Sequence, residues 1–309
     1  MSLRYLILGA GGTGGALGAH LVRGGLEVSF IARGKQKEAL AREGMRVDKP
    51  GDSFSVGPLQ VWDMETYAGI PNVIFLCVKG YSLEETVPFL RRIAGKDTVI
   101  IPILNLPDTG ERLRARLEAP LVTDGCIYIA SELESPGHIL MRGSILRVFF
   151  GLPGGKTTPV LEEIRRDLAA CGVDANLSRE IRRDCLMKFS YVSPQGACGL
   201  YYGVSAGAMQ QPGEIRDCFA ALTEEIGLLA RAEGIDLGPG MGERNLAILD
   251  GVEPEMTTSL QRDILRGGPS ELEGLILRVP ELGKRLGVTL PSYEKIAAAL
   301  RAKERSIHD

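Results

Sequence analysis

A glycine-rich string near the start of the chain constrains the fold more than any other feature. Gly9-Ala10-Gly11-Gly12-Thr13-Gly14 follows a strand-like segment at 3–8 and opens a small-residue helix that ends near residue 23. A strand, a tight glycine turn and a helix in this order are typical of a dinucleotide-binding unit, because the backbone there can approach a pyrophosphate. The phosphates would meet free N–H groups at the start of the helix. A purely structural glycine turn is the alternative.

The remaining pattern predicts the fold class. Strand-like segments at 27–32, 73–78 and 98–103 alternate with helical ones, which is typical of a mostly parallel sheet. The later part of the chain shows only helical periodicity. We therefore predict an α/β fold with a Rossmann-type, NADP-binding domain over 1–178 and an all-helical substrate and catalytic domain over 179–309. A length of 309 residues suits two domains.

Three further elements of secondary structure are expected. The pattern predicts a short strand-like stretch over 54–62, a helix over 180–192 and a helix over 270–286. The first belongs to the α/β part of the chain. The other two belong to the helical part.

Composition excludes several classes of function. The chain has 36 Lys and Arg against 39 Asp and Glu, for a formal net charge of -3, so no nucleic-acid or anionic-membrane partner is expected. Its apolar runs are far shorter than the roughly 20 residues that span a bilayer. The first residues show no signal-peptide pattern. Six cysteines without a C-x-x-C pair, and three histidines, give no metal-ligand spacing. We expect a cytoplasmic protein without a metal.

The end of the second strand indicates which dinucleotide is bound. A site that prefers NAD usually has Asp or Glu there to hold the ribose 2′-hydroxyl. This chain has no acid at that point and instead has Arg33, Lys35 and Lys37. Because a forked guanidinium suits a 2′-phosphate, Arg33 favours NADP(H) as the cofactor. A solvated basic turn is the alternative.

Reduction of a carbonyl also needs a proton donor. None of the histidines is well placed for this role, and no tyrosine is followed by a lysine four residues later. Lys188 stands out because it shares a helix face with Ile181, Cys185 and Val192. A lysine on an apolar face is costly unless its ammonium reaches solvent or meets a partner. A snorkelling lysine is the alternative to a substrate-binding one.

Two other pairs of residues are candidates. Lys79 and Asn105 each follow a buried strand, where ligands of open α/β sheets bind, although a surface lysine and a turn-forming asparagine would look the same. Glu271 and Ser259 lie at predicted helix starts. A glutamate is expected at such a place for the helix dipole alone.

Taken in order, these residues and their neighbours resemble the ketopantoate reductase (2-dehydropantoate 2-reductase) family over essentially the whole chain. The motifs are the glycine string, Val78-Lys79, Leu104-Asn105, Leu186-Met187-Lys188-Phe189 and Ser270-Glu271-Leu272-Glu273-Gly274. The resemblance implies NADPH-dependent reduction of 2-dehydropantoate to pantoate, in pantothenate biosynthesis. It also implies a Rossmann-type domain, a helical domain and an active site in the cleft between them.

The resemblance implies a role for each candidate. Lys188 would be the general acid, Glu271 would contact the substrate, and Asn105 would position substrate and nicotinamide. Lys79 would line the cofactor cleft, and Ser259 would lie near the substrate carboxylate. The predicted catalytic residues are Lys188, Glu271 and Asn105. The predicted cofactor-binding residues are Gly9, Gly11, Gly12, Gly14, Arg33, Lys79 and Asn105.

The chain departs from the family pattern at three single positions, and it has Gly199-Leu200-Tyr201 in place of the usual Thr-Ala-Leu stretch. Leu106 replaces a glycine after Asn105, and Val192 and Gly196 replace two asparagines on the helix of Lys188. Loss of two polar side chains beside a substrate changes specificity, so the chain resembles a divergent member. Two alternatives therefore stay open: a reductase of another 2-oxoacid, and a non-catalytic NADP(H)-binding regulator. The expected partner is a small-molecule 2-oxoacid, and a homodimer is an allowed assembly.

Overall fold

A computed structural model describes residues 2–308 and the side chains of residues 2–303. The chain divides into two units, the first ending at Ile181 and the second beginning at Arg182. The predicted boundary at residue 178 lies close to this division. Each unit has its own architecture, described in turn below.

The first unit is built on three sheets. Its central sheet has six strands in the order β5-β2-β1-β6-β7-β8, and every neighbouring pair in it is parallel. A four-stranded sheet has the order β10-β11-β3-β4, and a three-stranded sheet has the order β13-β12-β9. The strands are β1 (Arg4–Leu8), β2 (Glu27–Ile31), β3 (Met45–Asp48), β4 (Phe54–Val56), β5 (Gln60–Trp62), β6 (Val73–Leu76), β7 (Val99–Pro102), β8 (Leu121–Val122), β9 (Asp124–Tyr128), β10 (Ser131–Ser135), β11 (His138–Met141), β12 (Arg147–Gly151) and β13 (Asp174–Leu177).

Helices join the parallel strands, as the alternating pattern predicts. The helices of this unit are α1 (Gly12–Arg23), α2 (Gly34–Arg42), α3 (Leu83–Ile93), α4 (Thr109–Arg114) and α5 (Pro159–Ala170). The strands β1, β6 and β7 read as continuous apolar runs because both faces of the sheet are covered. The Rossmann-type, mostly parallel sheet is confirmed.

Helix α1 is buried on two faces, which explains its small residues. A Cβ on Gly18 would collide with the Phe30 ring on the central sheet. On the other side, a Cβ on Gly15 would lie 2.9 Å from Cδ1 of Ile139 on β11. The helix is therefore held between the central sheet and the four-stranded sheet, and larger side chains on either face would push the layers apart.

The stretch at 54–62 is not one strand. Residues 54–56 pair antiparallel with β3 in the four-stranded sheet, whereas residues 60–62 pair parallel with β2 in the central sheet. Gly57, with a φ of +123°, turns the chain between them, and a Cβ there would collide with Gly44. The alternation of apolar residues does not show that the two halves belong to different sheets.

The second unit contains helices and, over residues 182–308, no strand, as predicted. No helix in the described part of the chain is both long and apolar enough to cross a membrane. The helices are α6 (Ile181–Tyr202), α7 (Ala206–Gln210), α8 (Glu214–Ala232), α9 (Met241–Asp250), α10 (Ser259–Leu265), α11 (Val279–Leu286) and α12 (Pro291–His308).

Helix α6 runs ten residues beyond its predicted end at 192 and passes through Pro194. A proline has no N–H, so the carbonyl four residues earlier, that of Ser190, loses its helical donor. Here Asn245 Nδ2 donates to that carbonyl at 2.9 Å and Thr223 Oγ1 at 3.3 Å. Neighbouring helices thus satisfy the group that would otherwise end the helix.

The single helix predicted over 270–286 is also divided. A π-helical segment, Glu273–Leu277, precedes α11, and the Arg278 N–H donates to the Glu273 carbonyl five residues earlier at 2.9 Å. Pro280, which cannot donate, lies in the first turn of α11, where no donor is needed. Such π-helical turns are rare and frequently lie at functional sites.

Candidate active site

Five strands of the central sheet end in register at one edge. Because the strands are parallel, the segments that follow them all leave from this edge. Ligands of open α/β sheets bind outside the carboxyl ends of the strands. The successive register partners at the edge are Trp62, Ile31, Leu8, Leu76 and Pro102.

This register places four predicted site features along that edge. Arg33 comes two residues after Ile31, and the glycine loop follows Leu8 directly. Lys79 and Asn105 each come three residues after the paired ends of β6 and β7. Their order across the edge is Arg33, glycine loop, Lys79 and Asn105. The first unit therefore brings its predicted cofactor residues to one edge.

The glycine loop is shaped for close approach. Gly9 has a φ of +106°, which only glycine adopts readily, and its Cβ would lie 3.0 Å from the Cys77 carbonyl carbon. A Cβ on Gly14 would collide with the Gly9 carbonyl oxygen. These two glycines are required by the local packing of loop, helix and sheet.

Gly11 and Gly12 differ from each other. A Cβ on Gly12 would lie 2.9 Å from Cα of Glu132 on β10, so this glycine allows the four-stranded sheet to approach. Its chain neighbours aside, no atom of the described residues lies within 4 Å of the Cβ position on Gly11. Gly11 is the N-cap of α1, no side chain caps this helix, and its first turn holds no acidic residue. The positive helix end beside Gly11 is thus open to an anion.

A cavity of ≈ 190 Å³ opens beside the loop. Gly9 and Gly11 line one part of it, Arg33 and Gln36 a second part, and Thr86 of α3 a third. Gln36 is a residue that the sequence analysis did not single out. Its Nε2 donates to the Ala10 carbonyl at 2.8 Å, and its Oε1 accepts from the Gly137 N–H at 2.8 Å. Gln36 therefore fixes the loop against the β10–β11 turn.

The three cations after β2 are not equivalent. Lys37 Nζ lies 2.6 Å from Asp63 Oδ2. Together with the Thr66 donors, the Lys37 ammonium holds the pKa of the Asp63 carboxyl well below its usual range. Within residues 2–303, no hydrogen bond or ion pair engages the side chain of Arg33 or Lys35, and Arg33 is exposed. Arg33 and Lys35 are therefore available to a ligand beside the end of β2, whereas Asp63 neutralises Lys37.

Lys79 and Asn105 lie at the other end of the row. Both are half-buried, and the Lys79 carbonyl accepts from the Ser82 N–H at 2.9 Å in the turn that starts α3. Leu106, which departs from the family pattern, is buried, and its carbonyl accepts from Thr109 Oγ1 at 3.0 Å. The leucine side chain is therefore covered by protein, while the Asn105 side chain stays partly accessible.

In the second unit, Lys188 lies near the middle of α6 and is only 8% exposed. Ile181 and Cys185, which share its helix face, are also buried. The structure thus places the lysine in an apolar region, as the periodicity predicts. A charged side chain at such a depth is costly unless it is partnered.

Segments that carry the other two candidates pack on the same helix. Leu260, next to Ser259 at the start of α10, lies 3.4 Å from the Cβ position on Gly196. Ser193 Oγ donates at 2.6 Å to the Leu275 carbonyl in the π-helical segment.

Glu271 lies two residues before that segment and is buried. Ser259 is half-buried at the first position of α10, whose N-cap Thr258 forms a capping box with Gln261. Helix α6 is therefore the common support for the elements that carry Lys188, Glu271 and Ser259.

Comparison with known protein families shows to which family the chain belongs. Residues 5–154 match the family model described as ketopantoate reductase PanE/ApbA, and residues 180–304 match the model of its C-terminal part. The chain belongs to the ketopantoate reductase family. It is accordingly an oxidoreductase that acts on a CH–OH group with a nicotinamide dinucleotide.

Individual relatives align over nearly their whole length. The chain is 26% identical to an uncharacterized oxidoreductase YkpB of Bacillus subtilis, covering 98% of this chain and 99% of the relative. It is 25% identical to a 2-dehydropantoate 2-reductase of Aquifex aeolicus, covering 98% of each. A solved structure of D-mandelate dehydrogenase with NADH and anilino(oxo)acetate is 19% identical, with a TM-score of 0.89 over 99% of this chain and 100% of that one. This last likeness shows the shared fold.

Two polar side chains on the Lys188 side of α6 were missed in the sequence analysis. Tyr191 and Gln195 follow Lys188 by three and seven residues, spacings that share a helix face. Among residues 2–303, Tyr191 Oη is buried without a hydrogen-bond partner, and burial raises the pKa of Tyr191 to about 12. Gln195 is buried, and no hydrogen bond engages its amide within the same residues. Polar groups therefore lie on α6 near Lys188 at positions 191 and 195, directly before Val192 and Gly196. Their spacing of three and seven residues from Lys188 is the sequence signal that predicts a shared helix face.

Proposed function

We propose that this ketopantoate reductase family member uses NADPH to reduce a 2-oxoacid, with 2-dehydropantoate as the first candidate substrate. The observation that carries the proposal is the row of Arg33, glycine loop, Lys79 and Asn105 at one sheet edge. A dinucleotide needs a pyrophosphate cradle flanked by an adenosine end and a nicotinamide end, and this row offers the three in that order.

The residues of the first unit fit such a cofactor. The open helix end at Gly11 would hold the pyrophosphate, and the cavity beside Arg33 would hold the adenosine end. Arg33 and Lys35 would meet a 2′-phosphate as charge-assisted donors. Lys79 and Asn105 would lie on the nicotinamide side. A related structure holds NADH, so the fold alone does not determine the cofactor, and the proposed preference for NADPH over NADH rests on Arg33.

The second unit would supply the proton and the substrate contacts. When bound, the reduced nicotinamide supplies a hydride to the carbonyl carbon of the oxoacid. Lys188 would hold its proton at the ketone oxygen and donate it as negative charge develops there. Glu271 and Ser259 would bind the remaining polar groups of the substrate. Burial of Lys188 strengthens this interaction, because water does not screen it.

Steady-state kinetics test the proposal. We expect oxidation of NADPH with 2-dehydropantoate, and a loss of roughly 10²–10⁴-fold in kcat for Lys188→Ala. Lys284→Ala, an exposed lysine on α11, is the matched control and should keep full turnover. Unchanged turnover in Lys188→Ala would exclude it as the acid. NADPH binding without oxidation of any oxoacid would instead support the regulatory alternative.

A second candidate substrate is favoured by Tyr191 and Gln195. Their hydrogen-bonding groups have no partner among residues 2–303 and lie at positions different from the family asparagines, so they would favour a substrate with a differently placed polar group. Branched and amino-linked 2-oxoacids belong in the same panel. A higher kcat/KM for one of these than for 2-dehydropantoate would replace the first candidate. Gln195→Leu and Tyr191→Phe should then each lower kcat/KM for the preferred substrate by about 10-fold or more, since loss of one buried partner costs ~1–3 kcal/mol.

A further inference from the structure

Two thiols of the second unit lie in contact outside the site described above. Cys198 on α6 and Cys218 on α8 are neighbours, close enough for each thiol to shift the pKa of the other. Cys198 is fully buried and Cys218 is half-buried. All six cysteines of the chain are free thiols. This pair is unused by the proposed reduction, which needs no thiol.

The pair lies in a regular interface between two antiparallel helices. Residues later in α6 contact residues earlier in α8, so the two helices run in opposite directions where they pack. The thiols occupy one step of that series and are positioned by helices, not by a loop. In order along α6, the contacting pairs are Ser190 with Thr223 (3.3 Å), Tyr191 with Phe219 (ring centroids 6.0 Å), Cys198 with Cys218, and Tyr202 with Glu214 (3.1 Å).

The surroundings distinguish the two sulfurs. The neighbouring Cys198 thiol, the Tyr202 hydroxyl and the charge of Lys295 lower the pKa of Cys218, against the opposing effects of burial and Glu214. The neighbouring Cys218 thiol, together with burial, raises the pKa of Cys198. Cys218 is therefore the more acidic thiol of the pair. A partly accessible, more acidic thiol beside a buried one is the arrangement of an attacking and a resolving cysteine.

We propose that Cys198 and Cys218 are a site of reversible oxidation, at which hydrogen peroxide converts the two thiols into a disulfide between α6 and α8. The Cys218 thiolate attacks one peroxide oxygen, the O–O bond breaks, and protonation of the leaving oxygen gives water and a sulfenic acid. Cys198 then attacks that sulfur and loses its thiol proton. The sulfenic hydroxyl leaves as a second water, and a dithiol reductant reverses the change.

Peptide mapping of the folded, full-length protein after treatment with hydrogen peroxide tests the proposal. We expect a peptide that links Cys198 to Cys218, and its loss on reduction. In Cys198→Ser, a dimedone adduct should accumulate on Cys218, because no resolving thiol remains. Cys218→Ser should form neither product. Cys171→Ser is the matched control, since Cys171 is half-buried with a pKa raised chiefly by burial, and it should behave like the wild type.

The rate of alkylation provides a readout that needs no variant. Cys218 should react with iodoacetamide about ten times faster than Cys171 at neutral pH, because its thiolate fraction is larger. Absence of the cross-linked peptide in the oxidised wild type would overturn the proposal. Equal alkylation of Cys218 and Cys171, or an adduct on Cys198 in place of Cys218, would overturn the assignment of the attacking thiol.

Discussion

The Asn245 amide donates a 2.9 Å hydrogen bond to the Ser190 carbonyl, the group that Pro194 leaves without a helical donor. Asn245 is buried, and it also donates to Ser190 Oγ at 2.9 Å. We therefore expect Asn245→Ala to lower the free energy of unfolding by ~1–3 kcal/mol, because two buried hydrogen bonds to Ser190 are lost and only the longer one from Thr223 remains on its carbonyl. Urea denaturation measures this loss.

A double-mutant cycle separates this effect from simple truncation. Pro194→Ala restores the missing N–H, so Asn245→Ala should cost less in that background than in the wild type. Glu243→Ala, on an exposed position of the same helix, should change stability by no more than about 0.5 kcal/mol. An equal cost of Asn245→Ala in both backgrounds would contradict this account of helix α6.

Glu225 on α8 holds the start of the last helix. Its two carboxylate oxygens accept from the Ser292 N–H at 2.7 Å and the Tyr293 N–H at 3.0 Å, in the first turn of α12. Glu225→Gln replaces one acceptor by a donor and removes a charge that favours the helix N-terminus. We expect a loss of ~1–3 kcal/mol in unfolding free energy. Exposed Glu224→Gln is the matched control, and equal effects of the two changes would refute this role.

The cations after β2 should set the choice of cofactor. Arg33→Ala should raise the KM for NADPH by about 10–100-fold and leave that for NADH nearly unchanged, since only NADPH carries the 2′-phosphate. Asp63→Asn should act in the opposite direction by releasing Lys37 from its 2.6 Å ion pair. Initial rates with both cofactors measure these shifts.

The control for this series is Arg23→Ala. This change removes an exposed arginine that pairs with Asp52 and lies before the start of β2, not after its carboxyl end. It should leave the ratio of the two KM values unchanged. A parallel rise in the KM for NADH and NADPH in Arg33→Ala would show that Arg33 does not read the 2′-phosphate.

His20 should make stability depend on pH. It is buried in α1, its Nδ1 lies 2.8 Å from the Ala16 carbonyl, and its Nε2 lies 3.2 Å from Lys49 Nζ. Burial chiefly lowers the pKa of His20 below its ordinary value of 6.5. Below pH 6.5 the unfolded chain therefore binds a proton at His20 that the folded chain does not. The free energy of unfolding consequently decreases as the pH is lowered, until the pH passes the pKa of His20 in the folded chain.

Urea denaturation between pH 7.5 and pH 5 checks this behaviour. The unfolding free energy of the wild type should fall more steeply towards pH 5 than that of His20→Gln, whose side chain does not titrate. Identical pH profiles would mean that the imidazole is protonated equally in both states.

Local signals sufficed for much of the fold and for one side of the site. The parallel sheet follows from apolar strands that alternate with helices, and Gly9 and Gly14 of the glycine loop need only the contacts of their own strand, turn and helix and of the neighbouring strand end. The positions of Arg33, Lys79 and Asn105 then follow from strand ends alone. In each case the determining contacts lie within a few residues along the chain or one strand away.

Contacts between distant segments could not be predicted. Helix α6 continues through Pro194 because Thr223 and Asn245 supply donors, and nothing near residue 194 reveals them. Lys37 looks like a third cation for phosphate, but Asp63 neutralises it from another strand. Periodicity similarly cannot assign residues 54–56 and 60–62 to different sheets.

The two-sided burial of α1 has a consequence for the newly made chain. The layer that meets Gly12 and Gly15 comes from Glu132 and Ile139, far downstream on the messenger RNA. A ribosome therefore exposes the glycine loop long before it delivers the strands of the four-stranded sheet. Until Met141 has left the exit tunnel, α1 has only the central sheet to pack against.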